Sequence, residues 1–229
     1  MDSLKPVLER WASLEAFQGR AMGDIGCGTG DLLTYLQAQG AVVCGLEPRT
    51  DAVSDANMRL KQSDAVVQGE AQCLPWADNT LDDAIFCMSL HHVPAALMMA
   101  ALDEAVRVVK PHGQITVIEP IADGAGYNVE RLIDDEAAVR QAAADALTAF
   151  MAKGPVTLML DERIAWHYDY QSFDGFIEVM VGIDLSRMAR ARQNREDAER
   201  LFHAGGTKTA TGWRFPQDYR LLVMRVGQG

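Results

Sequence analysis

The sequence lacks any run approaching the roughly 20 apolar residues that a membrane-spanning helix needs. Cysteine is scarce, with four in 229 residues and no Cys-x-x-Cys pair among them. Cys27, Cys44, Cys73 and Cys87 therefore read as free thiols of a reducing compartment, not as a disulfide framework or a zinc site. Basic residues are in deficit: 21 Lys and Arg face 32 Asp and Glu, a net charge of −11. That balance argues against a nucleic-acid partner, because neutralising phosphates needs a basic face. Residues 1–20 carry Asp2, Glu9 and Glu15 and lack the basic-then-apolar order of an export signal, so a cytoplasmic protein is expected. Repeats, low-complexity tracts and a clear linker are also missing. What remains is 48% hydrophobic and 23% charged, ordinary globular material, enough for one domain and short for two.

The first half alternates between short apolar runs and helical patterns. Residues 5–18 have apolar side chains at Val7, Leu8, Trp11, Leu14 and Phe17, a helical spacing. Strands are predicted over 21–25, 41–46, 65–68, 83–88 and 114–119. Helices are predicted over 31–39, 50–61 and 94–109, and a loop over 74–80, after the third strand, carries Pro75 and Asp78-Asn79. Strands this short and this continuously apolar fit a parallel sheet covered on both faces, and right-handed crossovers make it doubly wound. Beyond Pro120 the pattern changes. Residues 130–151 form an Ala-rich helix, 160–180 are rich in aromatics, and 184–202 form a helix dense in both signs of charge. Two strand-like runs around Pro216 follow over 207–226. The expected organisation is one domain over 1–229: a core at 20–120, a helical insertion at 124–205 and closing strands at 207–226 on the same sheet.

One motif stands between the first strand and its helix: Asp24-Ile25-Gly26-Cys27-Gly28-Thr29-Gly30. Glycines there let the backbone turn tightly and approach a ligand, and the next helix presents its N-terminal N–H groups to an anionic group. The spacing selects among ligands. A dinucleotide loop would place its third glycine at 31, where Asp31 stands, and no Gly-Lys-Ser/Thr follows as a phosphate loop requires.

With these residues in view, the chain resembles the class I S-adenosylmethionine-dependent methyltransferases, above all the small-molecule branch that includes the ubiquinone and menaquinone enzymes. Asp24–Gly30 matches the family's D-x-G-x-G-x-G loop. Glu47, in Gly45-Leu46-Glu47-Pro48, matches the acid that holds the ribose hydroxyls. Residues 69–76 resemble its G-D-A-x-x-L-P-F segment, which sets Glu70 toward the adenine amino group and Ala71 to offer a backbone N–H. Residues 78–93 and 106–113 resemble its later segments, with His112 in place of a glycine. The match spans about residues 20–120. It implies a Rossmann-like α/β fold with a seven-stranded doubly wound sheet and a helical insertion before the last strands. It also implies S-adenosylmethionine as cofactor, with S-adenosylhomocysteine as product. The binding set implied is Asp24, Gly26, Cys27, Gly28, Gly30, Glu47, Pro48, Glu70, Ala71, Cys87 and Met88.

Catalytic residues stay open. His91 and His92 fall where strand ends face a ligand, and a histidine suits general-base work; packing beside the cofactor is the competing reading. Tyr127, just after the fifth strand, would cover the site. No metal is expected, since neighbouring histidines on one turn rarely converge on one ion. The aromatics from Trp166 to Phe176 would line a substrate pocket or pack the insertion. Arg187, Arg190, Arg192 and Arg195 read as a solvated helix face, and Met58, Met98 and Met99 as core filler. Methyl transfer needs chiefly an in-line nucleophile about 3 Å from the carbon, so a missing triad is uninformative. The expected function is transfer of a methyl group to an O, N or C atom of a small molecule. Two alternatives remain: a protein of the same fold that binds the cofactor without transferring methyl, and a nucleic-acid or protein methyltransferase. Against the latter, Cys87-Met88-Ser89-Leu90 stands where an N/D-P-P-Y/F motif would be.

Overall fold

The apolar runs assemble as a layered α/β structure in a computed structural model that describes residues 4–227. The first three residues, part of the stretch read for an export signal, and the last two lie outside the described residues. Five parallel strands come first: β1 (Ala21–Ile25), β2 (Val42–Glu47), β3 (Val66–Gln68), β4 (Leu81–Cys87) and β5 (Val109–Pro120). Two further strands, β6 (Val156–Ile164) and β10 (Tyr219–Val226), complete a sheet of order β3-β2-β1-β4-β5-β10-β6 among the described residues, with β10 antiparallel to both its neighbours. The helices are α1 (Lys5–Ala12), α2 (Asp31–Ala38), α3 (Thr50–Leu60), α4 (Met98–Val108), α5 (Gly124–Glu130), α6 (Ala137–Ala152), α7 (Phe173–Ile183), α8 (Met188–Gln193) and α9 (Arg195–Gly205).

Side-chain alternation along each strand divides the interior into two layers. On β4, Ile85 enters the layer of Trp11, Leu33 and Leu36, while Phe86 enters the layer of Leu102, Phe150 and Leu147. On β10, Leu221 and Val223 go one way and Leu222 and Met224 the other. Continuous apolar strands result, as two covered faces require. Chain order reverses between β1 and β4, which both pair directly. The crevice beyond their carboxyl ends is where a ligand sits in an open α/β sheet.

The second half departs from the sequence-based expectation. Residues 124–205 are not a purely helical insertion, because β6 lies within them as the outer strand of the main sheet. Its seven central residues, Thr157–Arg163, are exposed or half-buried and only Val156 and Ile164 at its ends are buried. An edge strand that leaves Leu158 and Met159 exposed and carries charged cross-strand pairs, such as Asp161 with Arg220 at 2.7 Å, shows no regular alternation of apolar and polar residues. Nor do both closing runs join one sheet. β9 (Trp213–Pro216) pairs with β7 (His167–Tyr170) and with β8 (Thr207–Lys208) in a separate three-stranded sheet. The aromatics take up the core of that cap: Phe173 and Phe176 pack with Phe202 and Phe215. The helix read over 184–202 is a 3-10 turn (Leu185–Arg187) followed by α8 and α9, with Asn194 between them. Met58 faces solvent on α3 with 73% exposure, whereas Met98 is buried. Among the described residues no helix is long and apolar enough to cross a membrane.

Candidate functional site

The Asp24–Gly30 loop leaves β1 and enters α2. Gly26, Gly28 and Gly30 all have φ between +53° and +79°, the left-handed region that costs other residues roughly 1–2 kcal/mol. A Cβ on Gly26 would sit 2.7 Å from Cβ of Ser89, and one on Gly30 would sit 3.0 Å from Cβ of Ala56. The loop is tied to its surroundings by backbone bonds from Gly26 N and Cys27 N to the Leu46 carbonyl, at 2.7 and 3.0 Å. Ser89 Oγ donates to the Ile25 carbonyl at 2.5 Å.

Glu47, at the end of β2, is buried. Its Oε2 accepts from Gly28 N at 3.0 Å, and its Oε1 accepts from Arg49 N and Nε at 3.2 and 3.3 Å. A carboxylate has about four acceptor positions, so room remains for hydroxyl donors. Asp24 is 1% exposed, and its Oδ1 has no hydrogen-bond partner among the described residues. Burial, reinforced by the charge of Glu47, pushes its pKa up to about 8. Two acids and a glycine bend thus face one cavity of about 1120 Å³.

All but one of the sequence-predicted binding residues line this cavity: Asp24, Gly26, Cys27, Gly28, Glu47, Pro48, Glu70, Ala71, Cys87 and Met88. Gly30 stands behind it as the N-cap of α2. Met88 holds a positive φ of 54° without being glycine, an uncommon backbone state of the kind that gathers at functional sites. The segment 69–76 is held from α4. Leu74 N donates to Glu104 at 2.8 Å, and Arg107 donates to the Leu74 and Trp76 carbonyls at 3.0 and 2.9 Å. Burial raises the Cys27 and Cys87 thiol pKa values, which disfavours the thiolate form.

The three catalytic candidates separate. His92 lines the cavity, whereas His91 and Tyr127 are buried behind it. Tyr127 donates to Asp135 at 2.9 Å, and burial with that bond pushes its phenol up to about 12. His91 pairs with Glu119 through Nδ1 and donates from its backbone N at 3.3 Å. Partial desolvation at the cavity wall, then neighbouring His91, lowers the pKa of His92. The two imidazoles lie side by side, with ring centroids 4.1 Å apart. The aromatics from Trp166 to Phe176 are absent from the cavity lining. Arg187 is not on a solvated face: its side chain is 11% exposed, pairs with Asp134 at 2.7 Å and lines the cavity.

Sequence reasoning missed Glu119, Glu136, Arg140 and Arg187. Glu119 had a signal, since it lies near the carboxyl end of β5, where ligands are met. The others come from the second half and are joined to the site only by tertiary packing.

The sequence that carries this loop has counterparts in known proteins. Residues 23–117 match the family model described as a methyltransferase domain. The match covers less than half of the chain and makes residues 23–117 similar to that family. The chain is 32% identical over 121 residues to the ubiquinone biosynthesis O-methyltransferase of Paraburkholderia phytofirmans, covering 50% of this chain and 51% of that one. It is 33% identical over 107 residues to the demethylmenaquinone methyltransferase of Bacillus licheniformis, covering 44% and 45%. The chain thus spans about half the length of the curated relatives it matches. The YcgJ protein of Bacillus subtilis shares the fold, with a TM-score of 0.65 at 17% identity over 100% of this chain and 99% of that one. The cofactor that this family implies fits the residues present. Asp24 offers an orphaned buried oxygen, Glu47 has free acceptor positions, and Gly26 keeps clear a space that a side chain would close.

Proposed function

We propose that the chain is an S-adenosylmethionine-dependent methyltransferase acting on an O, N or C atom of a small molecule. One observation carries the reading: two buried carboxyl groups flank a left-handed glycine bend at the reversal point of the sheet. Glu47 would accept from the ribose hydroxyls, and Asp24 would face the ammonium of the amino-acid end. Glu70 and Ala71 would meet the adenine, with Cys27 and Pro48 along the nucleoside and Cys87 and Met88 beside the sulfur. The cofactor supplies a methyl group already activated on a cationic sulfur.

The protein's own work is then positioning. The cavity of about 1120 Å³ holds an acceptor beside the nucleoside, and Val93, Pro94, Leu185 and Arg187 wall that end. An effective molarity gain from such placement is the main rate term for a displacement of this kind. His92, an exposed side chain whose pKa is lowered by partial desolvation and by neighbouring His91, is the side chain available to take a proton from an acceptor hydroxyl or amine. The two relatives named as quinone-pathway methyltransferases support a small acceptor.

The experiment is incubation of the purified chain with methyl-labelled S-adenosylmethionine and a metabolite extract. Label in a small product is the expected result. Calorimetric binding without transfer would favour the non-transferring alternative, label in RNA or protein would overturn the small-molecule reading, and no binding of S-adenosylmethionine or S-adenosylhomocysteine at millimolar concentration would overturn the cofactor itself.

A further inference from the structure

We propose that His91, His92 and Glu136 form a binding site for a first-row divalent transition-metal ion in the wall of the same cavity. The two histidines close the 3-10 turn Leu90–His92 after β4, and Glu136 is the residue preceding α6, which packs on that turn. One ligating atom from each of the three side chains lies within 4.8 Å of the others.

The hydrogen-bond pattern makes the case sharper. His91 Nδ1 is engaged by the Glu119 carboxylate, which accepts only, so the ring hydrogen sits on Nδ1. His91 Nε2 faces Glu136 Oε2 at 4.0 Å. An ion bonded at about 2.0–2.2 Å to nitrogen and oxygen would span that gap. Glu119 behind His91 is the usual outer carboxylate of a metal-bound histidine. Arg140 fixes the Glu136 carboxylate by bonds of 2.6 and 3.1 Å. Arg140 and Arg187 do not already neutralise the cluster. Glu136 and Asp134 pair with these two guanidinium groups, Glu119 pairs with His91 instead, and burial favours the neutral form of Glu130, so a negative charge is left over for a cation to meet.

Two imidazoles and one carboxylate suit Zn, Fe(II), Co or Ni better than Mg or Ca, which prefer all-oxygen shells. His92 reaches the cavity, so coordination positions would open toward it and toward an oxygen of whatever is bound there. The proposal does not rest on the methyl-transfer reading, because it concerns binding of the ion alone.

The test uses tag-free, chelator-treated full-length chain titrated with Co(II) under reducing conditions. One equivalent should bind and give visible ligand-field absorption without a thiolate charge-transfer band. His92→Ala and Glu136→Gln should each weaken binding at least tenfold, and Glu119→Gln by about 10–100-fold. His92 is exposed, so its variant should melt near the parent, which a thermal scan checks. Absence of stoichiometric binding up to millimolar Co(II) or Zn(II) overturns the site. So does binding that survives both substitutions, or that vanishes in Cys73→Ser, the variant of an exposed thiol. In those cases the cluster is a network of hydrogen bonds and ion pairs among His91, Glu119, Glu136 and Arg140 that holds no ion.

Discussion

Asp24 is a carboxyl group enclosed with no donor for one of its oxygens, and this gives it a measurable signature. Its folded pKa of about 8 lies far above the usual 3.9 or so of an unfolded aspartate. Between those values the folded state holds a proton that the unfolded state has lost. Stability of the ligand-free chain should therefore fall as pH rises from about 4 to about 8 and then level off. Asp24→Asn should remove that part of the slope; chemical denaturation at several pH values checks it, and an unchanged slope would take Asp24 out of the account. An ammonium group placed beside Asp24 would reverse the preference, so binding of S-adenosylhomocysteine should release protons near pH 7, seen as buffer-dependent heats. Glu47 gives a second test at this scale. Charge-assisted bonds to two hydroxyls contribute about 1.5–3 kcal/mol each, so Glu47→Gln should weaken cofactor affinity tens-fold, and calorimetry showing equal affinity would remove Glu47 from the ribose role.

At the scale of elements, the glycine loop needs the neighbouring segment 69–76 held in register, and α4 does this through Arg107 and Glu104. Arg107→Ala leaves the Leu74 and Trp76 carbonyls to solvent. It should cost about 1–2 kcal/mol, roughly 3–6 °C in melting temperature, and raise the dissociation constant for adenine-bearing ligands several-fold. Loss of stability with full affinity would mean that the segment holds its own shape. The first half of the fold was readable for a plain reason. Its strands are buried on both faces and its glycine loop has a fixed spacing, so local sequence carries the whole signal. The second half was not. β6 earns its place through backbone pairing with β10 and surface ion pairs, and Glu136 reaches His91 only because α6 folds back onto the turn at Leu90–His92. Neither leaves a periodic trace. The aromatic stretch was visible but undecided; Phe202 and Phe215, far along the chain, settle Phe173 and Phe176 as cap core, while Trp166 packs against the main-sheet layer.

The molecule as a whole is acidic, and the cavity more so. Among the described residues its lining has seven carboxyl side chains, Asp51, Asp55 and Asp184 among them, against the guanidinium groups of Arg49 and Arg187. S-adenosylmethionine carries one more positive charge than its demethylated product. The field should favour the charged ligand and assist departure of the neutral one. Salt shortens the screening length from about 30 Å at 0.01 M to about 8 Å at 0.15 M. Affinity for S-adenosylmethionine should accordingly fall with salt more steeply than affinity for S-adenosylhomocysteine; parallel slopes in paired titrations would show that the acids are screened already.

The outer position of β6 bears on any attempt to graft specificity from one relative to another. A cassette cut at 124 and 205 would carry away the neighbour of β10 and leave a long apolar strand with a bare row of amides, the kind of edge on which chains stack into aggregates. Chimeras that retain Val156–Ile164 and exchange only the helices and small sheet around it are the ones expected to stay dispersed.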